Sequence, residues 1–221
     1  MSATITLALA FTLVGDAQVV SGRSDGMRFQ FQASQCNGDF RSEWRSPEGL
    51  LVAEEELNFD GDLWSRYHLQ RRSINQDILV IRESDGIVLI IGDGATRKSK
   101  KLRSERKPLV GPQLVEHLSL QLKRIRKRET IEFDYLIPEH ALVLSLRAML
   151  DHPPRSNETV VRVDATSIFM RAFVPETLLA YDESGRLISM TGRLLPQVGD
   201  STSPVAIDGI LRVKGIGSTC P

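Results

Sequence analysis

A mainly β fold of the α+β class is what this sequence predicts: a strongly bent antiparallel sheet or open barrel of about ten strands wrapped around one central amphipathic helix. Three observations predict it. Apolar and polar residues alternate with period two through most of the 221 residues, as half-buried strands require. Asp-Gly and Ser-containing glycine turns separate those strands at hairpin distance. Only one window, Pro108 to Glu129, changes to a long helical period.

Taken in order, the chain opens on a ten-residue apolar run, Ile5 to Val14, followed by Gly15-Asp16-Ala17. The run is too short to span a bilayer, and the small residues suit a signal peptidase. Residues 1–17 therefore read as a signal peptide, and residues 18–221 as a single exported β-rich domain, periplasmic or envelope-associated. No Lys or Arg precedes the run, and an edge strand is the alternative reading.

Met27 to Ala33 and Phe40 to Trp44 alternate, and the Ser46 to Gly49 turn leads into Leu50 to Phe59. Within Glu54-Glu55-Glu56 only Glu54 and Glu56 share a strand face, and a solvated face opposite basic neighbours accounts for them. Asp60-Gly61 turns the chain into Leu63 to Arg71, and Ser84-Asp85-Gly86 joins two apolar runs, Ile78 to Ile81 and Ile87 to Ile91. Arg97 to Lys107, with seven cations, reads as a charged loop too polar to pack.

The helix is expected at about 111–128. Pro112 suits a first helical position, where its missing N–H costs nothing. Leu114, Val115, Leu118, Leu122 and Ile125 then fall within about 100° of the helix circumference, and that stripe must lie on something. Beyond it, Ile131 to Ile137 alternates, Pro138 stops it, and Leu142, Leu144 and Leu146 begin the next strand. Thr159 to Val163 and Ser167 to Val174 follow, the latter with Ile168, Met170, Ala172 and Val174 facing one way. Leu178 to Tyr181 and Leu187 to Met190 make a hairpin about Glu183-Ser184-Gly185, and Val205 to Val213 supplies the closing strand.

The leader, the consecutive antiparallel strands, the turn Leu109-Val110-Gly111-Pro112, the segment Ile131 to His140 and the hairpin Leu178 to Arg193 carry a resemblance. In layout the chain is similar to uncharacterised bacterial envelope proteins and to the lipoprotein-carrier (Lol-type) half-barrel, from about Phe29 to Val213. That resemblance implies a half-barrel whose hydrophobic concavity, lidded by helix, accepts acyl chains. Those carriers have more than one lid helix, whereas one is legible here.

The expected function is therefore non-enzymatic: a hydrophobic or amphiphilic ligand, a lipid or lipoprotein acyl chain, held against Leu114, Leu118, Leu122, Phe133 and Tyr135. The alternative comes from charge. The chain is formally neutral, yet residues 97–128 hold twelve cations against Glu105 and Glu116. Arg97, Lys98, Lys100, Lys101, Lys123, Arg124 and Lys127 then form an anion-binding strip for an anionic partner or membrane surface. The strip has no aromatic residue to stack on bases, which argues against nucleic acid.

Chemistry of other kinds finds no pattern. His68, His117, His140 and His152 have no metal-ligand spacing, no nucleophile elbow occurs, and no metal, cofactor or catalytic residue is expected. Cys36 and Cys220, the two cysteines, lie near the two ends of the chain. If the first and last strands are neighbours in an oxidising compartment, a bridge between them would close a loop worth ~4–5 kcal/mol in the entropic model. Two unrelated thiols are the alternative.

Overall fold

Strands form wherever the period-two pattern runs, and the computed structural model joins them into one sheet. It describes residues 12–20, 26–36, 38–93, 96–103, 107–152, 157–171, 174–199 and 203–215, with 11, 216 and 217 as backbone. Among these the strands are β1 (Phe11–Val19), β2 (Arg28–Cys36), β3 (Asp39–Arg45), β4 (Leu51–Asp60), β5 (Leu63–Arg71), β6 (Gln76–Glu83), β7 (Gly86–Gly92) and β8 (Arg97–Leu102). After the helix α1 (Gln113–Arg126) come β9 (Ile131–Ile137), β10 (Leu142–Leu150) and β11 (Thr159–Ala165). A short helix α2 (Ile168–Arg171) precedes β12 (Thr177–Tyr181), β13 (Leu187–Val198) and β14 (Val205–Gly217).

The result is mostly β: fourteen antiparallel strands in one open sheet, ordered β8-β7-β6-β5-β4-β3-β2-β1-β14-β13-β12-β11-β10-β9. The expected count of about ten is thus corrected to fourteen. The sheet curls far enough for distant strands to touch. Arg71 at the end of β5 donates from Nε to the carbonyl of Leu195 on β13 (2.8 Å) and from Nη2 to Glu139 in the 3-10 turn Pro138–His140. A sheet this wide is driven to curl by its own strand twist.

The connector from β8 to α1 crosses the inside of the curl. Trp64 Nε1 on β5 donates to the Pro108 carbonyl at 2.8 Å. Leu109 bridges Tyr135 in parallel, its N–H on Asp134 (2.8 Å) and its carbonyl on the Leu136 N–H (2.9 Å), so the connector covers the β9 edge. Gly111 turns next at φ +51°, where an added Cβ would lie 2.5 Å from the Tyr67 ring; only glycine fits. Pro112 then caps α1, within the bounds expected for the helix.

Three apolar clusters fill the curl. One packs Leu118, Leu122 and Ile125 of α1 against β9–β13, including Val161, Leu179 and Tyr181. A second joins β4–β7 to Val110 and Leu136. The third lies under β1–β4, β13 and β14.

Two expectations change. Arg97–Leu102 is the edge strand β8 and not a loop; with five polar residues no alternation is visible, and lysine suits an exposed edge. Ser167 to Val174 is not a strand but begins with α2, since the packed residues Met170 and Val174 also fit a helical i, i+4 spacing. Residues 172 and 173 lie outside the described residues.

The N-terminus bears on the leader and edge-strand readings alike. The structure places Phe11–Val19 in the interior of the sheet, paired with β2 on one side and β14 on the other. A cut after Ala17 would remove seven of its nine residues, and with them the seam between the two halves. The small residues have a packing reason. A Cβ on Gly15 would meet the Arg212 carbonyl at 2.4 Å across a bulge, and Ala17 is 1 % exposed. Residues 1–10 lie outside the described residues.

Candidate functional site

Strand parity sorts the side chains of the N-terminal half between a concave and a convex face. On the convex face Arg41 pairs with Glu54 (3.2 Å) and lies 3.8 Å from Glu56, and His68 Nε2 meets Asp77 at 2.6 Å. Glu56 is half-buried on this face, whereas Glu54, held between Arg41 and Arg72, is 8 % exposed, so the solvated setting expected of both is found for Glu56 alone.

Glu55 points the other way, between Ala53 and Leu57, and is buried. Ser42 Oγ donates to Oε1 (2.9 Å) and Tyr67 OH to Oε2 (3.0 Å). Burial raises the carboxyl above its ordinary value, against the lowering effect of the two hydroxyls and Arg71. Burial, helped by the Glu55 charge, also holds the Tyr67 phenol well above 10. Arg71, 3 % exposed, completes this centre through Gln76 Oε1 (2.6 Å), Leu195 and Glu139. Of these the sequence singles out only Glu55, as the middle of the acidic triplet, and the signal for its burial is there: it has the parity of Ala53 and Leu57, an acid on an apolar face.

The residues expected to line a ligand pocket are largely packed. Leu118 and Leu122 are 0 % and 3 % exposed against β10 and β11, and Leu114, Phe133 and Tyr135 are half-buried around them. Phe133 lies 5.5 Å from the His117 ring, and Tyr135 OH reaches the Gly111 carbonyl at 3.4 Å. Burial raises the Tyr135 phenol and lowers His117.

The basic strip divides between two elements. On β8, Arg97 and Lys101 face outward, toward Asp77 (3.7 Å) and toward Glu83 and Asp85 (both 2.8 Å). Lys98 and Lys100 pair with Ile91 and Leu89 and so face inward. Lys100 Nζ reaches the Ala141 carbonyl at 3.5 Å, whereas Lys98 has no partner among the described residues. At the end of α1, Lys123, Arg124 and the C-cap residue Lys127 are exposed; Arg124 is held by Glu129 at 2.8 Å and by Gln121 at 3.1 Å. At 100° per residue all three lie within about 60° of Leu120, which is 76 % exposed.

Cys36 ends β2 and is not a free thiol; Cys220 lies outside the described residues. Among the described residues no three side chains are grouped as metal ligands, and no helix is long and apolar enough to cross a membrane.

With this geometry in hand, comparison with known proteins finds likeness at the level of fold. No family model matches the chain, and no curated protein matches it. A solved structure described as a β-barrel-like protein of a domain of unknown function, DUF1849, from Brucella abortus superimposes with a TM-score of 0.57 at 7 % sequence identity. The match covers 96 % of this chain and 98 % of that one. The chain therefore has a β-barrel-like fold over essentially its whole length.

Proposed function

We propose that the protein is a non-enzymatic module of the cell envelope that docks on an anionic membrane surface through the outer face of α1. One observation carries this: Leu120 stands 76 % exposed among Lys123, Arg124 and Lys127, the pattern of a helix face that lies on headgroups. Each cation near such a surface contributes about 1 kcal/mol, and burying the leucine adds about 1.5–3 kcal/mol. The full chain should sediment with phosphatidylglycerol vesicles and not with phosphatidylcholine vesicles. Reversing Lys123, Arg124 and Lys127 to glutamate should abolish this while leaving the thermal transition in place. Equal sedimentation of the reversed and parent chains would sink the docking reading.

A second reading is a hydrophobic or amphiphilic ligand, a lipid or lipoprotein acyl chain, held in the concave face as in the Lol-type layout. The inward-facing Lys98, without a partner among the described residues, supports it, since a cation at the mouth of an apolar concavity suits the head of an amphiphile. Export to an oxidising compartment, with β1 retained, belongs to both readings. There a Cys36–Cys220 bridge would join strand ends flanking β1, because Ser34 and Gly217 both pair with Thr12.

A further inference from the structure

We infer that the concave mouth at β6–β8 binds a small amphiphilic anion, a carboxylate or phosphate bearing a short aliphatic chain. The inference rests on the second reading and names its ligand class and site. The space is a depression of about 200 Å³ lined by Ile74, Gln76, Ile91, Thr96, Lys98 and Pro204. That lies below the roughly 300–1,000 Å³ of ordinary ligand clefts. It takes a head and a short tail, not a whole lipid.

The lining divides as such a ligand requires. Ile74, Ile91 and Pro204 supply an apolar floor, and Lys98, directly opposite Ile91 in the β7–β8 register, supplies a cation. The other three cations of β8 are committed elsewhere, Arg97 and Lys101 to acids on the convex face and Lys100 to the Ala141 carbonyl. Gln76 accepts from Arg71 through Oε1, which leaves its amide N–H groups as donors. Asp93, the one acid in the lining, has its carboxylate engaged by the backbone N–H (2.8 Å) and hydroxyl (3.0 Å) of Thr96. A head bearing negative charge thus meets one ammonium and one amide, with the Asp93 carboxylate still charged and turned onto Thr96, while its tail covers Ile91 and Ile74.

The test is methyl NMR on the full chain titrated with hexanoate, with hexanol and acetate as controls. Hexanoate should shift the Ile74 and Ile91 methyls, and neither control should do so at the same concentration. Lys98→Gln should weaken hexanoate tenfold or more, whereas Lys100→Gln, on the same face, should not. Equal response to acetate or hexanol, silent Ile74 and Ile91 methyls, or an unchanged affinity in Lys98→Gln would overturn the site. Dihexanoyl phosphatidylglycerol, below its micelle concentration, distinguishes the source: tighter binding than hexanoate assigns a lipid head, weaker binding a free acid. The charge-reversed α1 chain should bind hexanoate unchanged, so loss of vesicle docking and loss of this site are read separately. Failure of hexanoate with retained uptake of a longer-chain lipid would remove this site and leave the second reading standing.

Discussion

Between β9 and β13 the concave face of the sheet lies against α1, with Leu118 and Ile125 wholly buried beside Val161, Leu179 and Tyr181. Between β3 and β7 the inner face carries Ser42, Glu55, Tyr67 and Arg71 instead, and the inside is closed by the connector Pro108–Val110 and by strand ends from across the curl. The difference follows from what each filler brings. A helix satisfies its own backbone, so an apolar stripe can meet an apolar face directly. A connector and strand ends bring carbonyls that need donors, and Trp64 and Arg71 supply them to Pro108 and Leu195. The polar centre of Ser42, Glu55, Tyr67 and Arg71 thus sits beside the apolar cluster of β4–β7, where a connector and strand ends, and not a helix, close the sheet.

The comparison breaks most severely at the seam between the halves. A chain that starts at Gln18 lacks most of β1, which holds β2 and β14 together, and should show no cooperative thermal transition by circular dichroism. A sharp transition in that chain would mean that the halves stand independently. Next, Leu118→Ala should cost about 3–4 kcal/mol in urea unfolding, whereas Leu120→Ala two residues on should stay within about 0.5 kcal/mol. Equal effects would show that α1 does not fill its half as described. In the other half Arg71→Leu should cost about 2–3 kcal/mol, because the Leu195 carbonyl and Glu139 lose their donor.

The smallest effect is one of pH. Burial raises the Glu55 carboxyl above its ordinary 4.5, so the folded state holds that proton more tightly than the unfolded chain does. The resulting stability is present in full below 4.5 and is lost as the pH rises through the folded-state value. Glu55→Gln removes that loss. Its Tm relative to the parent should climb from pH 4.5 toward neutrality, and a flat difference would place the carboxyl in water.

Legibility differed between the halves for the same reason. Around α1 the one-dimensional pattern sufficed: a stripe from Leu114 to Ile125 and alternating strands on either side name partners that can only face one another. In the other half the pattern misled. Glu55 was masked by its neighbours Glu54 and Glu56, and β8 by its lysines. The run through Val14 reads equally as a leader or as a strand, because the glycine and alanine a bulge needs are also what a signal peptidase accepts.

What the sequence determined by itself was local: period two for strands, period 3.6 for α1, a glycine before Pro112 where the chain must turn, and a surplus of cations in residues 97–128. The tertiary structure alone decided which faces turn inward, that β1 lies at the centre of the sheet, and that among the four cations of β8 Lys98 has no partner among the described residues. Backbone dihedrals and side-chain parity are set by near neighbours and can be read along the chain. The curl that brings Arg71 to Leu195 is set by the summed twist of fourteen strands, and no short window of residues contains it.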